Sequence, residues 1–133
     1  MRTKILILGL VCLLFFPYCN SPESPDVKEV IKPKANIVLD GSLLRTYTYY
    51  GSPQFEGYVK NIGNGTGYNC MVEIQCFSDP NKITIIDTAN GFPADLGDIN
   101  PGQRGYFDAV AFDCNSHNDI QSYSVKITWL DRD

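Results

Sequence analysis

The stretch Tyr68-Asn-Cys-Met-Val-Glu-Ile-Gln-Cys-Phe77 sets Tyr68, Cys70, Val72, Ile74 and Cys76 on one face and Asn69, Glu73 and Gln75 on the other. Side chains along a strand point to alternate sides, so this spacing predicts a strand with one dry and one wet face. Tyr123, Val125, Ile127 and Trp129 repeat the pattern near the C-terminal end. Beyond residue 35 no window carries a long apolar stripe at helical spacing. Further strands are expected at Ile37–Leu39 with Leu43–Tyr50, Phe55–Ile62, Ile83–Thr88 and Gly105–Asp113. Turn formers separate them: Gly51-Ser-Pro53, Gly63-Asn-Gly65, Asp79-Pro-Asn81, Asn100-Pro-Gly102 and Asn115-Ser-His117. About seven short antiparallel strands punctuated in this way predict an all-β sandwich.

The first part of the chain reads differently. Met1-Arg2-Thr3-Lys4 is basic and Ile5 to Phe16 carries no charge. That apolar run falls short of the roughly 20 residues a membrane span needs. It matches a secretory signal peptide, here residues 1–18. The cysteine behind it, in Phe16-Pro17-Tyr18-Cys19, resembles the lipobox of bacterial lipoproteins, although Tyr18 stands where that family has a small residue. The resemblance implies acylation of Cys19, attachment to a membrane through an N-terminal lipid, and a place in the bacterial cell envelope. The alternative is a secreted or periplasmic soluble protein. Residues 20–35, NSPESPDVKEVIKPKA, are rich in proline, serine and charge. With Cys19 they form an expected tether, 19–35, reaching up to roughly 50 Å at about 3.1 Å per residue. The folded domain is then 36–133.

Gly57-Tyr-Val-Lys-Asn-Ile-Gly-Asn-Gly-Thr-Gly-Tyr-Asn-Cys70 contains a glycine-rich turn. A phosphate-cradling loop needs a helix behind it whose amides face the anion, and a strand follows here instead. The expected reading is a strand-to-strand corner, with positive φ at Gly63, Gly65 and Gly67 and with Asn61 and Asn64 closing it through side-chain hydrogen bonds. Gly57-Tyr-Val59-Lys60-Asn61, the looser Ile74-Gln-Cys76-Phe77 and Pro101-Gly102-Gln103 together resemble the FxLYD and related CARDB-like bacterial domains over about 55–130. The resemblance implies an immunoglobulin-like β-sandwich in extracytoplasmic proteins, and it implies no activity. If the strands follow that order, Cys76 and Cys114 share a pole and form a disulfide, leaving Cys70 free. Cys70 and Cys76 cannot pair with each other, being about 20 Å apart along one strand against a limit of about 7 Å.

Loss of Arg2 and Lys4 with the signal peptide leaves nine basic residues against fifteen acidic ones, a net charge of −6. No basic stripe is present to neutralise a phosphate backbone, so no nucleic acid is expected as a partner. No metal, cofactor or catalytic residue is expected either. The single histidine, His117, has no second histidine or C-x-x-C pair beside it and reads as a solvated loop residue. Asp79 with Asn81, Asp95 with Asp98, and Asp113 with Asp119 gather oxygens in loops without the regular calcium-loop register. Tyr47, Tyr49 and Tyr50 add aromatic surface suited to a protein or glycan contact, Tyr47 and Tyr49 on one face and Tyr50 on the other. The expected function is a non-catalytic extracytoplasmic module with a binding or structural role. The second reading is a small carbohydrate- or calcium-binding module using those tyrosines or the acidic loops.

Overall fold

The computed structural model describes residues 32–93 and 97–132. These form seven strands: β1 (Ile37–Leu39), β2 (Leu44–Tyr47), β3 (Pro53–Asn61), β4 (Tyr68–Phe77), β5 (Ile85–Gly91), β6 (Arg104–Val110) and β7 (Ser122–Leu130). Every pairing is antiparallel. β3 is the spine of the first sheet. β6 runs along one edge of it, from Gln54 opposite Val110 to Lys60 opposite Arg104. β1 and β2 share the other edge, β1 opposite Val59–Asn61 and β2 opposite Pro53–Glu56. The chain breaks between them around Gly41, whose φ of +92° takes it out of strand geometry. The second sheet has the order β5-β4-β7. With β3 paired to β6 in one sheet and β4 to β7 in the other, the chain passes back and forth between two antiparallel layers and forms an all-β sandwich.

The expected dry face of β4 is realised from Cys70 onward: Cys70, Val72, Ile74 and Cys76 are fully buried, and Tyr68 is half-buried. They meet Phe55, Val59, Phe107 and Ala109 from the first sheet, with Ala111, Cys114 and Ile120 from the loop before β7 closing one end. Burial of this apolar area, at about 25 cal/mol per Å², is what holds the two layers together. The dry face of β7 is only half covered. Tyr123, Val125, Ile127 and Trp129 pack on the core yet stay partly accessible, because among the described strands β7 pairs with β4 alone. Arg45 lies over the rings of Tyr123 and Phe55, at 5.4 and 6.0 Å from their centroids, and shields part of that edge.

Candidate functional site

Two ends of β3 concentrate the unusual residues, and they are opposite ends. At the Asn61 end lies the glycine-rich corner. Asn61 is fully buried and all of its hydrogen-bonding capacity is used. Its Oδ1 accepts from the N–H groups of Asn36 (3.1 Å) and Gly63 (2.9 Å). Its Nδ2 donates to the carbonyls of Gly65 (2.7 Å) and Ile99 (2.9 Å). One amide thus ties together the leader, meaning residues 32–36 that run into β1, the corner and the segment before β6. Asn64 closes the outside by accepting from the Lys34 N–H at 2.9 Å, while the Lys34 carbonyl accepts from the N–H groups of Asn64 and Gly65. The asparagines therefore act as expected.

The glycines do not. Positive φ occurs at Gly41, Gly51, Gly97 and Gly102, and at none of Gly63, Gly65 and Gly67. What excludes a side chain there is the leader itself. A Cβ on Gly63 would lie 2.4 Å from the Lys34 carbonyl oxygen, and one on Gly65 would lie 2.7 Å from the Pro33 carbonyl carbon. Pro33 and Lys34, which composition assigns to the tether, are packed against the corner, and Ala35 belongs to the core. The Asn100-Pro-Gly-Gln103 turn behaves as a type II turn, with Gly102 at φ +76° and a Gln103 N–H to Asn100 carbonyl bond of 2.9 Å. It is pinned to Asn61 through both that residue's backbone groups.

At the Pro53 end lie the tyrosines. β2 stops at Tyr47, short of the expected Tyr50, because Thr48 to Ser52 close a turn. The Thr48 N–H donates to the Ser52 carbonyl and the Gly51 N–H to the Thr48 carbonyl, each at 2.9 Å. Tyr49 and Tyr50 therefore sit at a loop tip, 96% and 91% exposed. They form an edge-to-face pair, centroids 5.3 Å apart and planes at 86°, so they make an angled notch, not a flat platform. Tyr47 is drawn away from them. Its hydroxyl accepts from the His117 N–H at 3.3 Å and lies 3.5 Å from the Ser116 hydroxyl. His117 is no solvated loop residue. Its ring packs edge-on against Tyr47 and Phe55, and its Nε2 is 2.6 Å from the Thr46 carbonyl oxygen. A carbonyl can only accept, so Nε2 carries the proton and Nδ1 is left as a buried acceptor with no partner among the described residues. Phe112, 79% exposed, flanks the same pole, since the neighbouring Ala111 N–H donates to the Pro53 carbonyl. Sequence reading took His117 for a solvated residue because its partners Thr46 and Tyr47 lie about 70 positions away.

The expected disulfide is not formed: Cys70, Cys76 and Cys114 are all free, buried thiols. Cys76 and Cys114 do share a neighbourhood. Asp87, directly opposite Cys76 in the β4–β5 ladder, accepts from the Asp113 N–H. Burial pushes Cys70 up to about 11 and Cys76 up to about 12, and raises Cys114 as well, with Asp87 adding to the rise at the last two. Thiols held in the neutral form are slow to be oxidised and poor nucleophiles.

The acidic loops serve the backbone. Asp79 accepts from the N–H groups of Asn81, Ile83 and Thr84, and these bonds, the one from Thr84 foremost, hold its carboxyl below the ordinary range. Asp98 accepts from Asn69 and Asp119 from Ser116. Among the described residues no group of three or more His, Cys, Asp or Glu side chains is placed to hold a metal ion. Asp95, the signal peptide at 1–18 and Cys19 lie outside the described residues. No helix among the described residues is long and apolar enough to cross a membrane. Comparison with protein-family models, with curated proteins and with solved structures finds no match.

Proposed function

We propose that the chain is an exported, non-catalytic immunoglobulin-like module, anchored to the bacterial envelope through a lipid on Cys19, that binds a protein partner through the Tyr49–Tyr50 tip. The basic-then-apolar start and Cys19 support export and anchoring, as does the resemblance of the domain to extracytoplasmic FxLYD and CARDB-like sandwiches. The observation that carries the binding role is the near-complete exposure of two adjacent tyrosines on a hydrogen-bonded turn. Their rings contribute nothing to the core, and tyrosine supplies large, stiff contact area at low entropic cost. The edge-to-face geometry favours a projecting protein side chain over the flat face of a sugar. The neutral, buried thiols are the opposite of what a nucleophile requires, which supports a non-catalytic role.

The test uses membranes from the source cells, solubilised gently and resolved by native electrophoresis. The wild-type chain is expected to migrate in a complex larger than its own mass. The Tyr49→Ala/Tyr50→Ala variant is expected to migrate alone at unchanged abundance. Wild type running as a free monomer, or a complex that survives the double substitution, would count against the tip. Intact-mass measurement of the mature chain reads the anchor separately, as acyl mass on Cys19.

A further inference from the structure

At the corner pole, remote from the tyrosines, a cleft of about 390 Å³ opens between the leader, the β3–β4 corner and the arm that follows β7. We propose that it binds a small organic anion, an anionic oxygen head group carried on an apolar body. Lys32, Lys34, Asp131 and Arg132 line it together with Thr66 and Tyr68. Among the described lining residues Lys34 and Arg132 set two cations against that one carboxylate, a local positive surplus in a chain whose net charge is −4, while Lys32 is engaged in a contact of its own. That carboxylate is already engaged, Asp131 Oδ1 accepting from the Ala35 N–H at 3.0 Å. Arg132 lies over the Tyr68 ring, 4.1 Å from its centroid. Such stacking holds a guanidinium flat and leaves its N–H edge open to an anion.

Size and wall chemistry define the rest of the ligand. The volume falls in the usual range for small-molecule sites. It equals about a dozen waters at roughly 30 Å³ each, far more than a bare phosphate fills. The walls are largely apolar, so the body of the ligand is apolar and the charge sits at one end. The cleft is also built in advance. The Lys34 backbone is fixed on both sides, its N–H on Asn64 and its carbonyl on Asn64 and Gly65, and the Asp131 bond stitches the C-terminal arm to the leader across 96 positions. A site already formed loses little entropy on binding. Neither chain end signals it alone, since the cations come from both.

The experiment is an amide NMR titration of the full chain with phenyl phosphate, with benzyl alcohol as the neutral counterpart and inorganic phosphate as the head group alone. Phenyl phosphate is expected to give saturable shifts centred on Gly65, Thr66 and Tyr68, with both controls at least about tenfold weaker. Lys34→Gln and Arg132→Gln should each weaken it about fivefold, as loss of an exposed charge partner does. Both side chains are exposed, so the variants are expected to fold, and Lys126→Gln on the exposed face of β7 should change nothing. Benzyl alcohol binding as well as phenyl phosphate, shifts centred elsewhere or absent, or unchanged affinity in the two cleft variants would overturn the proposal.

Discussion

Asn61 shows how much one amide can decide. With all of its side-chain bonds going to backbone groups of three separate segments, its removal leaves buried donors and acceptors without partners, each costing about 1–3 kcal/mol. We expect Asn61→Leu to destabilise the domain by about 3–5 kcal/mol in urea unfolding, with a disproportionate loss of protection at the corner amides. A loss below about 1 kcal/mol would mean that the corner holds itself. Sequence alone indicated the role of Asn61 but not its partners, because Asn36 and Ile99 arrive from distant positions. The glycines were legible as a corner and misread in mechanism. Their Cβ atoms are excluded by the leader, a contact that no local rule encodes.

The thiols give a second prediction at this scale. Folded Cys70 and Cys76 keep their protons up to about 11 and about 12, whereas unfolded thiols lose theirs near 8.5. Between those limits the folded state binds more protons, so stability is full below about pH 8.5 and falls as pH rises, by about 1.4 kcal/mol per pH unit for each thiol. Cys70→Ala should flatten that decline in denaturant titrations between pH 8 and 10. In native buffer the three thiols should resist a thiol reagent and react on unfolding.

Elements follow the sequence where local pattern and environment agree. β4 runs over the expected Tyr68–Phe77 and buries Cys70, Val72, Ile74 and Cys76, while Tyr68, beyond the register shift before Met71, stays half-buried. β7 appears at the right place but is half covered, because being an edge is a property of the sheet and leaves no mark on the strand. β2 is shorter than its run of aromatic and β-branched residues suggests, since Gly51 at φ +86° and the Thr48–Ser52 bonds turn the chain first. The β4–β5 loop is held by Asp79, whose lowered carboxyl pKa means that its contribution is fully present above the ordinary carboxylate range and is lost as pH falls below that range through the lowered folded value. Asp79→Ala removes the bonds to Asn81, Ile83 and Thr84. Protection factors for hydrogen exchange across that loop should then fall at neutral pH, while those of the wild-type loop fall only in acid. Equal exchange in the two proteins at neutral pH would remove Asp79 from the role.

On the scale of the whole domain, β3 separates two poles by nine residues, roughly 30 Å at the strand rise. The leader, the Asn61 corner and the cationic cleft occupy one pole. The tyrosine tip and the His117 packing occupy the other. A chain tethered through its leader would present the second pole away from the anchor, and the fold would act as a rigid spacer for the tip. Tyr49→Ala/Tyr50→Ala should therefore leave the melting temperature unchanged, within about 0.5 kcal/mol of wild-type stability. The measurement that goes furthest is site-specific photocrosslinking in the source cells, with a benzophenone amino acid placed in turn at Tyr49 and at Thr66. We expect a discrete protein adduct from Tyr49 and none from Thr66. An adduct from Thr66 with none from Tyr49 would contradict the division of the molecule into an anchoring end and a binding end.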